Sequence, residues 1–368
     1  MSVAAKLNAI GQEVGQYILE RTDPINGILL SLLSRQNCLL LGSPGTSKSY
    51  VVKEITGRIT GANFFSVLLN KYSVPEEVLG PVSIKALQED RYERKMDGYL
   101  PTAHCGVIDE CYKANSSILN SLLGLMNERE YKNGNEWFKS PIISIIGASN
   151  ETPQDESLNA LHDRFMLRYL TKYVSPSAFV NLIDPNLNNK STKRTTITLA
   201  ELTQAQKEVL TIAVSRDMLG FVGEFKAKME REGYLASDRR WKASIQLLQA
   251  QAYLNGRNSV EQEDLTLYGN VLWNEMVDAD KCQSIVMRLI CPDLQGIIES
   301  RDAIHILLKS FESKAASEQA FVDLKTQLRS HQERLLKLTG AGVKGEAMKA
   351  EINTAISNAL TSAVKKRW

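Results

Sequence analysis

Residues 42–49 have the sequence Gly42-Ser43-Pro44-Gly45-Thr46-Ser47-Lys48-Ser49, and they follow the apolar run Cys38-Leu39-Leu40-Leu41. The segment that starts at Tyr50 is typical of a helix, so the order predicts strand, loop and helix. Two glycines allow the backbone to fold closely around an anion, and the first N–H groups of a helix point toward it. The pattern therefore predicts a loop that binds the phosphates of a nucleoside triphosphate.

Each residue of this loop has a predicted role in such a site. All eight residues from Gly42 to Ser49 are candidate nucleotide ligands, with Lys48 placed to neutralise the β- and γ-phosphates. The hydroxyl of Ser49 is placed to bind Mg²⁺. Ser47 occupies the position of a second glycine, and its side chain narrows the allowed backbone angles. The alternative is a Gly- and Pro-rich turn from strand to helix that carries a surface lysine.

A pair of adjacent carboxylates, Asp109-Glu110, ends the short apolar strand predicted from Cys105. This arrangement resembles a Walker B element, in which Asp109 would hold Mg²⁺ through water and Glu110 would activate the attacking water. The alternative is a helix N-terminus, because acidic residues are favoured near the positive end of the helix dipole.

Two further residues are candidates for catalysis. Asn150 follows the apolar run 142–148, where it is placed to polarise the attacking water; the alternative is a turn-forming asparagine. Arg164, at the end of a predicted helix, is the candidate arginine finger that reaches the nucleotide of a neighbouring subunit. Arg168 is a second candidate for that role, and its alternative is a surface or interface ion pair.

Composition limits the class of protein. The 368 residues are 43% hydrophobic and 23% charged, which suits a globular protein of two or three domains. The net charge of +2 offers no overall electrostatic signature for nucleic acid or an anionic membrane. The N-terminus lacks the layout of a signal peptide, and the longest apolar run is too short for a membrane span, so the expected location is cytoplasmic. The cysteines are expected to be reduced and structural: Cys38, Cys105, Cys111, Cys282 and Cys291.

Apolar runs alternate with helical patterns in the first half of the chain, which predicts a parallel sheet between helices. The predicted strands lie at about 37–42, 62–69, 104–109, 142–148 and 167–173. Two insertions interrupt this pattern, at about 76–101 and at 131–138, and Asn133-Gly134 in the second predicts a hairpin. Tyr17 and Ile18, at the end of the first predicted helix, are expected to border the adenine ring.

The second half of the chain is predicted to be helical. A polar stretch at 184–193, rich in helix breakers, predicts a linker, and an all-helical region extends from Thr198 to about Val277. In the tail, two apolar stripes with helical spacing flank a break at 339–342 and predict a helical hairpin. The first stripe is Phe321, Leu324, Leu328, His331, Leu335 and Leu338, and the second is Met348, Ile352, Ile356, Leu360 and Val364.

The order of these motifs resembles the MoxR group of AAA+ ATPases, in which a small residue commonly replaces the last loop glycine, as Ser47 does here. The resemblance covers roughly residues 10–275 and is closest to the RavA branch. The segments that carry this closer resemblance are 73–84, 91–94, 98–101, 118–123, 127–129, 237–242 and 247–250.

The resemblance implies an α/β AAA+ core with a P-loop, followed by an all-helical lid domain and then the C-terminal helical hairpin. The corresponding boundaries are 1–188, 189–277 and 278–368. In the family, an arginine that opens a lid helix acts as the second sensor and contacts the γ-phosphate in cis. Arg239 fits this role, because it lies seventeen residues before the turn at Gly256, and Arg240 is the adjacent alternative.

The expected function is Mg²⁺-dependent ATP hydrolysis in a homo-oligomeric ring, and the resemblance implies a hexamer. The resemblance implies chaperone-like remodelling or maturation of a protein partner, often one with a von Willebrand A (vWA) domain. An alternative is a motor or loader that acts on nucleic acid. A third possibility, a scaffold that binds ATP without hydrolysing it, needs neither Glu110 nor Arg164.

Overall fold

A five-stranded parallel sheet forms the centre of the structure, a computed structural model that describes residues 1–184, 194–312, 318–339 and 342–365. The strands of the described residues are β1 Asn37–Leu41, β2 Ile59–Thr60, β3 Phe64–Leu68, β4 Cys105–Asp109, β5 Glu130–Asn133, β6 Glu136–Lys139, β7 Ser144–Ser149, β8 Phe165–Leu170 and β9 Ile197–Thr198. The strand order in the sheet is β3-β4-β7-β1-β8.

The central strands of the sheet are buried on both faces, as their continuous apolar runs predict. Every residue of β1 and β7 is buried. The helices of this part of the chain are α1 Val3–Tyr17, α2 Thr22–Ser34, α3 Lys48–Thr56, α4 Pro75–Leu79, α5 Ile84–Gln88, α6 Ser116–Asn127, α7 Asn159–His162 and α8 Pro176–Ile183. Helix α2 packs against β8, β1 and β7, and helix α3 packs against β4 and β7. The predicted α/β class is confirmed.

The topology decides where a ligand can bind. Strand β1 lies between β7 and β8, so the chain leaves β1 and returns to the sheet at the far edge, in β3. Ligands of such open sheets bind beyond the carboxyl ends of the strands, near the point where the strand order reverses. The loop of residues 42–49 follows the carboxyl end of β1 and therefore lies at that place.

The lid is helical, as expected, and it packs on the first two helices of the chain. Its helices are α9 Leu199–Val209, α10 Arg216–Arg231 and α11 Asp238–Leu254, followed by 3-10 turns at Gln262–Asn270 and Met276–Asp278. Helices α9 and α11 contact α1 and α2. A buried aromatic cluster of Phe225, Trp241 and Tyr268 fills the lid, with Trp241 and Tyr268 centroids 4.9 Å apart. Residues 185–193 of the predicted linker lie outside the residues that the structure describes.

The two insertions contact each other. Strands β5 and β6 form the predicted hairpin, which turns at Gly134 and Asn135. The amide of Asn133 accepts a hydrogen bond from the backbone N–H of Arg94 at 2.7 Å and donates one to the Arg94 carbonyl at 3.2 Å. The hairpin is therefore fastened to the first insertion, while the side chain of Trp137 stays 67% exposed.

The chain forms two compact units, Met1–Ala279 and Asp280–Trp368. Helix α12 Ala279–Ile290 begins at the boundary, and the second unit continues with α13 Leu294–Glu312, α14 Glu318–Lys337 and α15 Gly342–Lys365. The predicted hairpin corresponds to α14 and α15, and α13 adds a third helix to its core. The buried core consists of Ile297, Ile304, Leu324, Leu328, Leu335, Ile352 and Ile356. Within the described ranges, no helix has both the length and the apolar character needed to cross a bilayer.

Candidate active site

The loop of residues 42–49 has a backbone that only particular residues can adopt. Gly42 has a φ of +145°, and a Cβ there would lie 2.1 Å from the carbonyl oxygen of Thr171. Gly45 also has a positive φ, +77°. Ser47 has a φ of +63°, in the left-handed region where a residue with a Cβ is strained. The two glycines are therefore required by backbone geometry, and Ser47 adopts the conformation that glycine would adopt freely.

The side chain of Lys48 lies across the loop and is only 7% exposed. Its ammonium donates hydrogen bonds to the carbonyl oxygens of Gly42 at 2.7 Å and Ser43 at 3.0 Å, and to Oδ1 of Asn150 at 2.9 Å. Burial lowers the pKa of Lys48, and the nearby carboxylates of Asp109 and Glu110 act in the opposite direction. The ammonium thus lies between the loop and the carboxylate pair.

The predicted Walker B residues meet the loop and Asn150. The hydroxyl of Ser49 donates to Oδ2 of Asp109 at 2.6 Å, and the amide of Asn150 donates to Oε1 of Glu110 at 2.5 Å. These contacts follow from the sheet, because β4 and β7 are parallel neighbours with Asp109 opposite Ala148. The residues that follow the two strand ends are consequently adjacent. The structure therefore brings Lys48, Ser49, Asp109, Glu110 and Asn150 into one hydrogen-bonded group.

The donor set of this group suits a magnesium ion. Mg²⁺ prefers oxygen ligands and usually binds through one or two protein groups together with phosphates and water. The Ser49 hydroxyl and the Asp109 carboxylate are two such groups, and they already touch. Within the described residues, no cluster of three or more His, Cys, Asp or Glu residues forms a metal site made by the protein alone. Ser49 and Asp109 would hold the ion only together with a phosphate ligand.

A cavity of about 440 Å³ opens beside the loop. Gly45, Thr46 and Ser47 form part of its wall. Tyr17 and Ile18 also line the cavity, as expected for residues beside an adenine ring, together with Tyr50, Tyr173 and Val174. Aromatic and aliphatic walls next to a phosphate loop are suited to a planar base.

Arg21 is a residue of this site that the sequence analysis missed. It lies between α1 and α2, it lines the cavity, and it is only 5% exposed. Its Nε donates to the carbonyl oxygen of Thr46 at 3.1 Å, and its two terminal nitrogens donate to the carbonyls of Glu20 at 2.8 Å and Lys172 at 2.5 Å. No local pattern marks Arg21, because its partners are brought to it only by the packing of β8 and the loop.

The two predicted arginines lie together and apart from the hydrogen-bonded group. Asp163 precedes Arg164 and accepts hydrogen bonds from Ser237 and Arg240, so one contact brings Arg164 and Arg239 near each other. Burial, and then the positive charge of Arg239, lower the pKa of Arg164. Arg164 donates to the carbonyl of Ala160 at 2.7 Å, and Arg239 is exposed. Arg164 precedes Phe165, which pairs with Asn37 at the amino end of β1, whereas the loop follows the carboxyl end of β1. The structure thus groups Arg164 with Arg239 and not with the loop of the same chain.

Arg240, the alternative second sensor, is buried and hydrogen-bonded within the fold. It is 3% exposed, and its guanidinium donates to Oδ1 of Asp163 at 2.9 Å and to Oδ1 of Asn274 at 3.0 Å. The hydroxyl of Ser237 donates to both carboxylate oxygens of Asp163 at 3.0 Å. Asp163, the residue before Arg164, therefore ties the end of α7 to the start of lid helix α11.

Arg168 does not fit the predicted role of a second arginine finger. It is fully buried, and it donates to the carbonyls of Trp273 and His162, the latter at 2.8 Å. An arginine enclosed between β8 and the lid cannot reach another subunit without leaving the core. The alternative, a surface or interface ion pair, does not fit either, because Arg168 is fully buried and no carboxylate of the described residues pairs with it.

Comparison with known proteins agrees with this geometry. Residues 5–209 match the MoxR domain of the MoxR-vWA-beta-propeller ternary systems, and residues 217–286 match an AAA lid domain. An uncharacterised protein of Methanocaldococcus jannaschii is 36% identical over 318 residues, which cover 85% of this chain and 83% of that protein. A second uncharacterised protein of this organism is 39% identical over 308 residues, 83% of this chain and 82% of that protein.

More distant similarity extends to a chaperone and to a solved structure. The chaperone MoxR1 of Mycobacterium tuberculosis is 26% identical over 168 residues, which cover 45% of this chain and 44% of that protein. The crystal structure of a proposed ATPase from Cytophaga hutchinsonii superposes with a TM-score of 0.63 at 17% identity, over 77% of this chain and 94% of the other. At that identity the superposition supports the fold alone. Because the MoxR family model matches more than half of the chain, the protein belongs to the MoxR family of AAA+ ATPases.

Proposed function

We propose that this protein binds ATP with Mg²⁺ at the loop of residues 42–49 and hydrolyses it. The observation that carries the proposal is the hydrogen-bonded group at the carboxyl ends of β1, β4 and β7. It joins a loop lysine, a hydroxyl, two carboxylates and an amide at one place. Each is a type of group that phosphoryl transfer to water requires.

Each side chain has a distinct task in this proposal. Lys48 exchanges its three oxygen acceptors for phosphate oxygens, so its charge is used where negative charge accumulates. Ser49 and Asp109 would hold the metal ion, which would supply Lewis-acid polarisation of the phosphoryl group. Glu110 accepts the proton of the attacking water, and Asn150 orients that water after its amide leaves the Glu110 carboxylate.

We further propose that the active form is a ring, with a hexamer expected from the family. Arg164 and Arg239 lie together and away from the loop of their own chain, which supports a role at the nucleotide of a neighbouring subunit. The expectation that Arg239 acts in cis has less support, because the contacts of Asp163 with Ser237 and Arg240 hold Arg239 near Arg164. In this arrangement the arginine pair of one subunit stabilises the transition-state charge of the next.

The proposed client is a protein, and a vWA-domain protein is the candidate. The support is the matched family model, which describes MoxR domains of systems that contain a vWA component. The same model favours such systems over the RavA branch, which only the sequence motifs support. Chaperone-like remodelling is proposed by analogy with the relative named as a chaperone. A cytoplasmic location is proposed separately, because ATP is abundant there. Action on nucleic acid has less support, given the net charge of +2.

The test measures binding and turnover separately in two variants. Lys48→Ala should lose affinity for a fluorescent ATP analogue, because the phosphates lose their principal cation. Glu110→Gln should bind the analogue but release phosphate at least about a hundredfold more slowly, because general-base catalysis contributes about that much. Lys53→Ala is the matched control, since Lys53 is an exposed lysine on the same helix.

Two outcomes would contradict the proposal. Retained ATP affinity in Lys48→Ala would remove the loop from nucleotide binding. Normal turnover in Glu110→Gln would remove Glu110 from the role of base. Stimulation of turnover by DNA, in a salt-dependent manner, would favour the nucleic-acid motor over a protein remodeller.

A further inference from the structure

The peptide between Thr46 and Ser47 is held from outside the loop. Its carbonyl oxygen accepts a hydrogen bond from Nε of Arg21 at 3.1 Å. The C=O and N–H of a trans peptide point in opposite directions, so a carbonyl fixed toward Arg21 directs the N–H of Ser47 away from it. That N–H is one of the donors with which a phosphate loop binds an anion.

This peptide needs an external constraint because of Ser47. Its φ of +63° lies in the left-handed region, which a Cβ makes unfavourable and which glycine adopts without strain. Strained residues persist where surrounding contacts determine the conformation. Here the hydroxyl of Thr46 bonds the Ser43 carbonyl at 2.8 Å and the Thr171 hydroxyl at 2.9 Å, and Arg21 adds the bond to the Thr46 carbonyl.

Arg21 is itself rigidly placed and keeps its charge. Its guanidinium is held by three carbonyl oxygens, from Glu20, Thr46 and Lys172, which belong to three different segments of the chain. Among the described residues it forms no ion pair with a carboxylate. A buried cation beside a phosphate loop, hydrogen-bonded to carbonyl oxygens and not to a carboxylate, also favours the approach of an anion.

We propose that Arg21 is a positioning residue of the phosphate loop. It holds the Thr46–Ser47 peptide in the orientation that binds phosphate, and it thereby allows serine at a position where glycine is usual. The inference rests on the proposed nucleotide site and deepens it. It predicts a specific energetic coupling between Arg21 and Ser47, two residues whose side chains need not touch.

The test is a double-mutant cycle for binding of ATP and of inorganic tripolyphosphate, measured by calorimetry without metal and then with Mg²⁺. In the wild-type background, Arg21→Gln should weaken binding about tenfold or more, as expected for loss of a hydrogen bond to a charged group. In the Ser47→Gly background, the same change should weaken binding by less than about threefold, because glycine does not need the constraint. Tripolyphosphate should show the same pattern, since the effect concerns phosphate and not the base.

Two further variants separate positioning from charge and from folding. Arg21→Lys keeps the charge but cannot bond the Thr46 and Lys172 carbonyls together, so it should lose most of the affinity that Arg21→Gln loses. It also replaces Arg21→Gln in the cycle if the glutamine variant fails to fold by circular dichroism. Arg216→Gln is the control, because Arg216 is an exposed arginine at the start of α10.

The results distinguish this inference from the proposed function. Equal losses in the two backgrounds, or full affinity in Arg21→Lys, would overturn the positioning role while leaving a nucleotide site in place. If the unchanged protein binds neither ATP nor tripolyphosphate, the proposed function would instead be overturned.

Discussion

Two residues of the candidate site that are not glycine, Ser47 and Glu110, have positive φ angles of +63° and +53°. Such conformations cost free energy and persist only where neighbouring contacts impose them. Glu110 is held by Asn150 through its side chain and by Asp109 through its backbone N–H, at 3.1 Å. The strain at both positions therefore supports a preorganised site, in which backbone groups already point where phosphates and water would bind.

His162 is a second residue whose surroundings determine its chemistry. Its Nδ1 lies 2.5 Å from the Tyr112 hydroxyl, and its Nε2 is buried without a hydrogen-bond partner in the described structure. Burial, and then the positive charges of Arg168 and Arg240, lower the pKa of His162 from 6.5 to about 2. The folded protein thus keeps this imidazole neutral at pH values where the unfolded chain protonates it.

This shift predicts a pH dependence of stability. Because the folded pKa is depressed, the contribution of His162 is fully present above pH 6.5 and is lost as pH falls toward 2. The free energy of unfolding should therefore fall by up to about 1.4 kcal/mol per pH unit below 6.5 from this group alone. Urea unfolding at pH 7, 6 and 5 should show a shallower decline for His162→Gln than for the unchanged protein. A decline as shallow in the control His305→Gln, which alters an exposed histidine, would contradict this assignment.

Parallel strand ends and one ion pair organise the site at the level of secondary-structure elements. Strands β4 and β7 end side by side, which places the carboxylate pair against Asn150. Asp163, at the end of α7, binds Ser237 and Arg240 at the start of α11. Arg164 follows Asp163, and Arg239 lies between Ser237 and Arg240. The contact between α7 and α11 therefore sets the relative position of the two arginines.

Asp163→Ala should destabilise the first unit and impair the arginine pair. Removal of one partner of a buried ion pair leaves an uncompensated charge and costs about 3–5 kcal/mol. Arg240 is 3% exposed on its side chain and Asp163 26%, so the lower end of that range is expected. Unfolding by urea should show the loss of stability, and phosphate release should fall more than ATP affinity does.

The matched control for this variant is Asp217→Ala, which removes an exposed aspartate from the first turn of α10. It should change stability and turnover little. A normal rate of phosphate release in folded Asp163→Ala would contradict the view that this ion pair positions Arg164 and Arg239.

At the level of the whole molecule, one chain contains both halves of the proposed site but does not bring them together. The loop and its carboxylates lie at the carboxyl ends of the strands, whereas the arginine pair contacts α7 and α11. A second subunit that places its arginine pair at the loop would complete the site. Hydrolysis would then depend on assembly, as a ring mechanism requires.

Mixing two inactive variants tests this dependence. Lys48→Ala subunits cannot bind ATP but retain the arginine pair, and Arg164→Ala subunits have an intact loop but lack Arg164. Mixed rings should regain part of the turnover, because some Arg164→Ala sites then face a complete arginine pair. The measurement is phosphate release at several mixing ratios, with light scattering to establish that mixed rings form.

The control mixture combines Lys48→Ala with Glu110→Gln. Both changes affect the loop side of the site, so no pairing of these subunits yields a complete site and turnover should not recover. Mixed rings of Lys48→Ala and Arg164→Ala that remain as inactive as this control would contradict action of Arg164 in trans.

The motifs of the first 170 residues were predictable because each occupies a short, continuous segment. Each motif begins with a strand and depends on local chain geometry. The first strand is followed by a Gly-rich loop and a helix, the second by Asp109-Glu110 and the third by Asn150. Parallel strand ends lie at one edge of a sheet, so their proximity also followed from the pattern. The sequence by itself thus determined the α/β core, the loop and the placement of Asp109, Glu110 and Asn150 beside it.

Tertiary structure alone decided the contacts between distant segments. Arg21 meets the Thr46 carbonyl, Asp163 meets Ser237 and Arg240, and Arg168 is enclosed by the lid. The third helix α13 joins the core of the C-terminal hairpin in the same way. An arginine side chain can lie on a surface, at an interface or in a buried hydrogen-bond network, and the residue type alone does not predict which of these environments it occupies. The choice depends on which carbonyls and carboxylates packing brings within hydrogen-bonding distance, and no local pattern contains that information.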